Sequence, residues 1–198
     1  MKLLQAGASP FVRKVRVTAI EAGIEDQVEA VPVLANPTAV NDEINAQNPL
    51  GKIPCLILDD GGSLFDSRAI TRYLDSLGAT DLYPDGAWEV LTLESMGDGI
   101  MDAAVAMVYE KRFREDPYAK FLDWQWVKVT RTLDALETYW VDYLNEGLTA
   151  GHIAVGCALG YLDFRHGDRD WRTGRDRLAA WEESFRARPS MMATIPSD

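Results

Sequence analysis

Short apolar runs bounded by turn residues fill the first 78 residues, whereas apolar positions at helical spacing fill the rest. The opening KLLQAG predicts a strand. PFVRKVRVTAIEAG predicts a helix that begins on Pro10 and ends at Gly23. QVEAVPV predicts a second strand, with Pro32 at a sheet edge or strand end because proline has no N–H for a ladder. IPCLILDD and SLF predict two more strands joined by the turn residues Asp59, Asp60, Gly61 and Gly62. DSRAITRYLDSLG then predicts a helix with Ile70, Tyr73, Leu74 and Leu77 on one stripe. The order β-α-β-(α)-β-β-α calls for a parallel pair followed by an antiparallel hairpin. That is the thioredoxin-like α+β pattern, although other small α/β folds share the order.

Past the linker-like LYPDG the strand signals stop. Helices are predicted over about 88–114, 118–146 and 152–165, with a shorter one near 175–187. In the second of these, Leu122, Trp126, Val129, Leu133, Leu136, Tyr139 and Trp140 mark a core-facing stripe. IAVGCALGYL is apolar nearly all round, which predicts a buried central helix. The expected organisation is a mixed α/β domain over 1–78, a linker over 79–87 and an all-helical domain over 88–198.

Charge narrows the possible partners. The chain carries a net charge of −11, divided as −3 over residues 1–78 and −8 over the remainder. Such an acidic surface repels nucleic-acid phosphates and anionic membranes. The apolar run Ile153–Leu162 falls short of the roughly 20 residues that cross a bilayer. At the N-terminus, Gln5 interrupts and Pro10 ends an apolar run too short for an export signal. The expectation is a cytosolic protein in which Cys55 and Cys157 are free, buried thiols.

Three short segments carry candidate chemistry. In NPLGKIPCL, Pro54 opens an apolar strand. A cis Ile53–Pro54 bond would leave the Ile53 N–H and C=O at the sheet edge, ready to pair with an extended peptide. Lys52 beside them suits a carboxylate. A plain turn before a strand explains the segment equally well. In DSRAI, Asp66 or Ser67 is a natural N-cap. The same helix start offers N–H groups and positive potential to a ligand carboxylate, with Asp66 available to an ammonium. In GASPFVRK, Ser9 falls at the strand–helix junction, where it either caps the helix or donates its hydroxyl hydrogen to a thiolate.

Taken together and in this order, the segments closely resemble the glutathione transferase superfamily over essentially the whole chain. SPFVRK resembles the serine-type catalytic segment, NPLGKIP the loop before the family's cis-proline, and FDSRAI its γ-glutamyl site. GHIAVGCALGYLDFR resembles the buried central helix of the second domain. The resemblance implies that Ser9 stabilises a glutathione thiolate and that Ile53 and Pro54 present the backbone that pairs with the cysteinyl unit. It gives Lys52 the glycine carboxylate, and Asp66 with Ser67 the γ-glutamyl end. Phe11 is a weaker candidate for packing beside the thiol. Met101, Val105, Val108 and Tyr109 share a helical face that lines either an electrophile pocket or the bundle core. Glutathione enters as a co-substrate, with no other cofactor and no metal, and a homodimer is expected.

Elimination supports the serine assignment. The first Tyr is Tyr73 and the first Cys is Cys55, neither near the end of the first strand, and Thr18 lies more than two helical turns beyond Ser9. Ser9-Pro10-Phe11-Val12 stands where a dithiol CxxC would be, which argues against disulfide exchange. One departure concerns the Ser/Thr-x-x-Asp capping box that opens the family's central helix. Here Thr149 is followed by His152, which has no carboxylate to return the bond, so a weakened helix start is expected. Asp98 and Asp102 share a face without a basic neighbour in sequence, and read as solvated or as facing a partner subunit. The resulting expectation is a transferase that conjugates glutathione to a small electrophile. The alternatives are a glutathione-dependent peroxidase, a glutathione carrier without turnover, and an interaction domain that has lost the ligand.

Overall fold

The computed structural model describes residues 1–35, 38 and 40–198. Its contacts divide the chain into two units, Met1–Asp85 together with Ala193–Asp198, and Gly86–Met192. Residues 193–198, which sequence alone assigns to the helical domain, thus belong with the first unit.

The first unit contains β1 (Lys2–Gln5), α1 (Pro10–Glu21), β2 (Glu29–Pro32), α2 (Asp42–Gln47), β3 (Cys55–Ile57), β4 (Ser63–Leu64) and α3 (Ser67–Leu77). The sheet order is β2-β1-β3-β4, with β1 parallel to β2 and the other pairs antiparallel. Pro32 closes the edge strand, where its missing N–H disturbs the ladder least. Alternation along β1 sends Leu3 and Leu4 to opposite faces. Leu3 joins Val12, Val15 and Ala19 of α1, Leu56 of β3, and Ile70 and Leu74 of α3. Leu4 joins Cys55 and Ile44 of α2 on the other side. Each such aliphatic side chain contributes about 1.5–3 kcal/mol when fully buried, so the sheet is fixed from both faces.

The predicted stripe of α3 holds at Ile70 and Leu74, which are buried, while Leu77 at the helix end is exposed. The stretch read as a linker is tied to α3. The Asp75 carboxylate accepts from the Thr80 hydroxyl (2.8 Å) and the Leu82 N–H (3.0 Å), and the Thr71 and Tyr83 hydroxyls lie 2.6 Å apart.

The second unit is helical: α4 (Trp88–Phe113), α5 (Ala119–Ala135), a π-helical turn (Leu136–Trp140), α6 (Val141–Leu144), α7 (Ala150–His166), α8 (Asp176–Arg186) and α9 (Pro189–Met192). The single helix expected over 118–146 is therefore interrupted. Its buried positions run Val129, Leu133, Leu136, and then Val141 and Leu144. The step of five across the π turn, one residue wider than an α turn, rotates Tyr139 off the stripe, and it is 78% exposed. Glu137 in that turn caps α8, its carboxylate accepting from the Leu178 N–H at 2.7 Å and the Arg177 N–H at 3.3 Å.

As expected from its composition, α7 is the buried centre, packed mainly on α4. The two helices approach closely at Gly97, where an added Cβ would lie 2.6 Å from the Ala154 carbonyl carbon. Asp98, on the next position of α4, is buried and makes interactions, so its solvated reading is corrected, whereas Asp102 is exposed.

The expectation of a weakened α7 start is also corrected. A capping box closes between Thr149 and His152, and the His152 Nδ1 accepts from the Thr149 N–H at 3.2 Å. Nε2 lies 3.1 Å from the Tyr143 carbonyl, which fixes the tautomer with the proton on Nε2, donating to that oxygen. The ring stacks on Tyr143 with centroids 5.5 Å apart. A neutral imidazole thus returns the bond for which sequence reasoning required a carboxylate.

Two predictions follow from this packing. Gly97→Val is expected to force α4 from α7 and destabilise the protein by about 2 kcal/mol or more, read by denaturant unfolding. Burial lowers the His152 pKa below its ordinary 6.5, against the opposing bond to Tyr143, and burial acts likewise on His166. Below pH 6.5 the unfolded chain therefore binds more protons than the folded one. Stability should be flat in these two groups above that pH and fall as pH drops through it. His152→Gln retains an acceptor for Thr149, and its unfolding free energy should fall less steeply than wild type between about pH 6.5 and 5.

Candidate active site

The strand register decides which loops meet. Leu4 pairs with Cys55 and Leu56 with Leu64, both antiparallel. The C-terminal ends of β1 and β4 and the N-terminal start of β3 therefore open at the same end of the sheet. The segments leaving that end contain Ser9, Lys52–Pro54 and Asp66–Ser67, the three groups that sequence reading singled out separately.

Ser9 is the N-cap of α1, in extended conformation, and its Oγ accepts from the Val12 N–H at 3.3 Å. Capping and donation prove compatible. The cap uses an oxygen lone pair and leaves the hydroxyl hydrogen to point elsewhere. Pro10 occupies the first helical position, where no N–H is required, and Phe11 beside it is half-buried.

The Ile53–Pro54 peptide is cis, as is Phe65–Asp66, which sequence reasoning did not foresee. Pairing in β3 begins at Cys55, which leaves the Ile53 backbone outside the ladder. The Lys52 side chain is exposed. Asp66 is the N-cap of α3, its Oδ1 accepting from the Arg68 N–H at 3.0 Å. Ser67 is the first helical residue and is buried. An exposed carboxylate at a helix start, next to N–H groups with positive potential, offers complementary charge to an α-amino acid head group.

Asn48 is the residue that sequence reasoning missed. It is buried; its Nδ2 donates to the Lys52 carbonyl at 2.8 Å and its Oδ1 accepts from the Leu50 N–H at 3.0 Å. It therefore holds the Asn48–Lys52 turn that leads into the cis bond. The Asn-Pro pair at 48–49 was the available signal, since that dipeptide initiates turns.

Both cysteines are buried and outside any disulfide, and burial pushes the Cys55 thiol above its ordinary pKa. Of the α4 positions named for an electrophile pocket, Met101 is completely buried, which makes it a core residue. Val105 is half-buried, and Tyr109 is 40% exposed with its ring against Phe113.

Comparison with known proteins agrees with this geometry. Residues 8–77 match the family model of the glutathione S-transferase N-terminal domain, and residues 102–184 that of the C-terminal domain. A GST-like protein of Escherichia coli K12, YibF, whose function is uncharacterised, is 34% identical over 99% of this chain and 98% of its own length. A glutathione transferase family member of Pseudomonas fluorescens Pf-5, solved with bound glutathione, is 42% identical with a TM-score of 0.96, covering 100% of this chain and 99% of that one. The glutathione S-transferase of Methylobacillus flagellatus KT, solved with glutathione bound, is 36% identical with a TM-score of 0.83, covering 99% of both chains. With both family models matched and relatives 34% and 42% identical over essentially the whole chain, the chain belongs to the glutathione transferase superfamily.

Proposed function

We propose that the protein is a serine-type glutathione transferase that binds glutathione along the open end of its sheet and conjugates it to a small electrophile. The observation that carries this reading is the state of Ser9. Its oxygen is held by the Val12 N–H at the start of α1, so its hydrogen is available to a ligand sulfur. The bound glutathione in similar proteins supports the ligand, and the convergence of Ser9, Ile53 and Asp66 supports its orientation.

In the proposed pose the cysteinyl backbone pairs with the N–H and C=O of Ile53 beside Pro54, like a short added strand. Lys52 meets the glycine carboxylate, while Asp66 and Ser67 hold the γ-glutamyl ammonium and carboxylate. The sulfur then lies at the N-terminus of α1, with Phe11 packing beside it. A free thiol has a pKa near 8.5, and moving it to about 6.5 takes about 2.7 kcal/mol of differential interaction. One charge-assisted hydrogen bond from Ser9 together with the helix potential supplies that range. The thiol proton leaves to solvent. The thiolate forms a carbon–sulfur bond with the electrophile, which either expels a leaving group with its electron pair or takes the pair into a conjugated system. Ser9 stabilises the nucleophile and forms no covalent bond itself. On the α4 face named from sequence, Val105, Val108 and Tyr109 retain surface that could meet the electrophile. A homodimer and a cytosolic location complete the proposal.

Ser9→Ala is expected to lower kcat about 100-fold, with glutathione affinity within about twofold of wild type and the bound thiol pKa back near 8.5. Unchanged turnover at intact glutathione binding removes Ser9 from the mechanism, and binding without turnover of any electrophile or peroxide favours a carrier. Asp66→Asn keeps the cap to Arg68 but deletes the charge. Calorimetry should show glutathione binding about tenfold weaker, while the melting temperature stays within about 2 °C.

A further inference from the structure

The first unit includes a segment distant in sequence from its site. Residues Ala193–Asp198 return from the helical unit to pack with Met1–Asp85. Two contacts define where they land. The Arg13 Nε donates to the Thr194 Oγ1 at 3.5 Å, and the Ser197 N–H points to the Gly7 carbonyl at 3.5 Å. Both bonds are long, so burial and steric fit carry more weight. Thr194 is 3% exposed and Arg13 is 7% exposed. At Gly7 there is no room for a side chain. A Cβ there would lie 2.7 Å from the Ser197 hydroxyl oxygen and 3.0 Å from its carbonyl oxygen.

These two landing points bracket Ser9. Gly7 stands two residues before it in the loop that leaves β1, a loop closed by the Ser9 N–H donating to the Ala6 carbonyl at 3.1 Å. Arg13 stands one helical turn after Ser9, with its N–H donating to the Ser9 carbonyl at 3.0 Å. The chain around Ser9 is thus held from both sides by a segment more than 180 residues away in sequence, as the separation of Arg13 and Thr194 shows.

We propose that the 193–198 segment is a positioning clamp for Ser9. Thr194 and Ser197, acting through Arg13 and Gly7, fix the β1–α1 loop so that the Ser9 hydroxyl stays aimed at the glutathione sulfur. The inference rests on the transferase reading for its catalytic consequence, but the clamp itself is a property of the free protein. An error of about 1 Å in the placement of a reacting group can cost 100-fold in rate, so a loop with only local hydrogen bonds gains from such a distant hold. Glycine at position 7 is then a requirement of the tail, because a methyl group there displaces Ser197.

The test uses the full chain with Gly7→Ala, Thr194→Val, their combination and Thr194→Ser. Amide hydrogen exchange at Ser9 and Val12 reads the clamp in the free protein. The pH profile of kcat, with KM for glutathione, reads its effect on the thiolate. Gly7→Ala and Thr194→Val should each speed Ser9 amide exchange about tenfold. They should lower kcat near neutral pH about tenfold, shift its acidic limb upward, and leave KM within about twofold. Thr194→Ser should restore both readouts, and the double variant should be no worse than the more impaired single one, since both loosen the same short segment. Unchanged Ser9 exchange in both single variants overturns the clamp. So does a loss of activity that appears only as a lowered melting temperature with the pH profile unmoved. If the wild-type protein proves to have no turnover, the transferase reading fails, while the exchange measurement still decides the clamp.

Discussion

The site depends first on a hydrogen-bond register. Because β3 runs antiparallel to both of its neighbours, the ends of β1 and β4 and the start of β3 share one end of the sheet. A one-residue slip between β1 and β3 would move Leu3 and Leu4 to each other's faces and lose both cores at once. The buried aliphatic side chains that stabilise the unit are therefore the same ones that fix the spacing of Ser9, Ile53 and Asp66. The stability of the unit and the meeting of its three loops at one end of the sheet are thus set by one pattern.

Those local bonds show how ordinary backbone chemistry leaves room for ligand chemistry. Ser9 and Asp66 each cap a helix, and each does so with one oxygen lone pair. The cap fixes the side chain and leaves the Ser9 hydroxyl hydrogen and the second Asp66 oxygen outside the cap. Asn48 does comparable work for the middle segment by spending its whole amide on the turn before the cis bond. The two readings that sequence alone left open at each position, cap or ligand group, are in this sense not rivals.

Much of the architecture was legible because its signals are local. Leu3 and Leu4, the Pro10 start of α1, Pro32 at the edge and the apolar run of α7 each follow from period, propensity or the missing proline N–H. What escaped depends on contacts between residues far apart, or on chemistry that a motif does not encode. The π turn hides within a helical pattern, because Tyr139 continues the α spacing and only the burial of Val141 and Leu144 exposes the shift. His152 looked deficient against a carboxylate consensus, yet an imidazole nitrogen accepts the same bond. Residues 193–198 carry no periodicity that would assign them to the first unit, and Asp98 gives no sign in sequence of being buried.

The burial of Cys55 has a further consequence. This thiol directly follows Pro54, at the rim where glutathione is proposed to lie, and a protein exposed to glutathione disulfide is at risk of forming a mixed disulfide with it. Exchange requires a thiolate with access to the attacked sulfur. Burial withholds both, since it favours the protonated form and encloses the sulfur beneath the sheet face shared with Leu4 and Ile44. In the proposed complex this placement leaves the glutathione sulfur as the reactive one at this end of the sheet and keeps the protein from being consumed by glutathione disulfide.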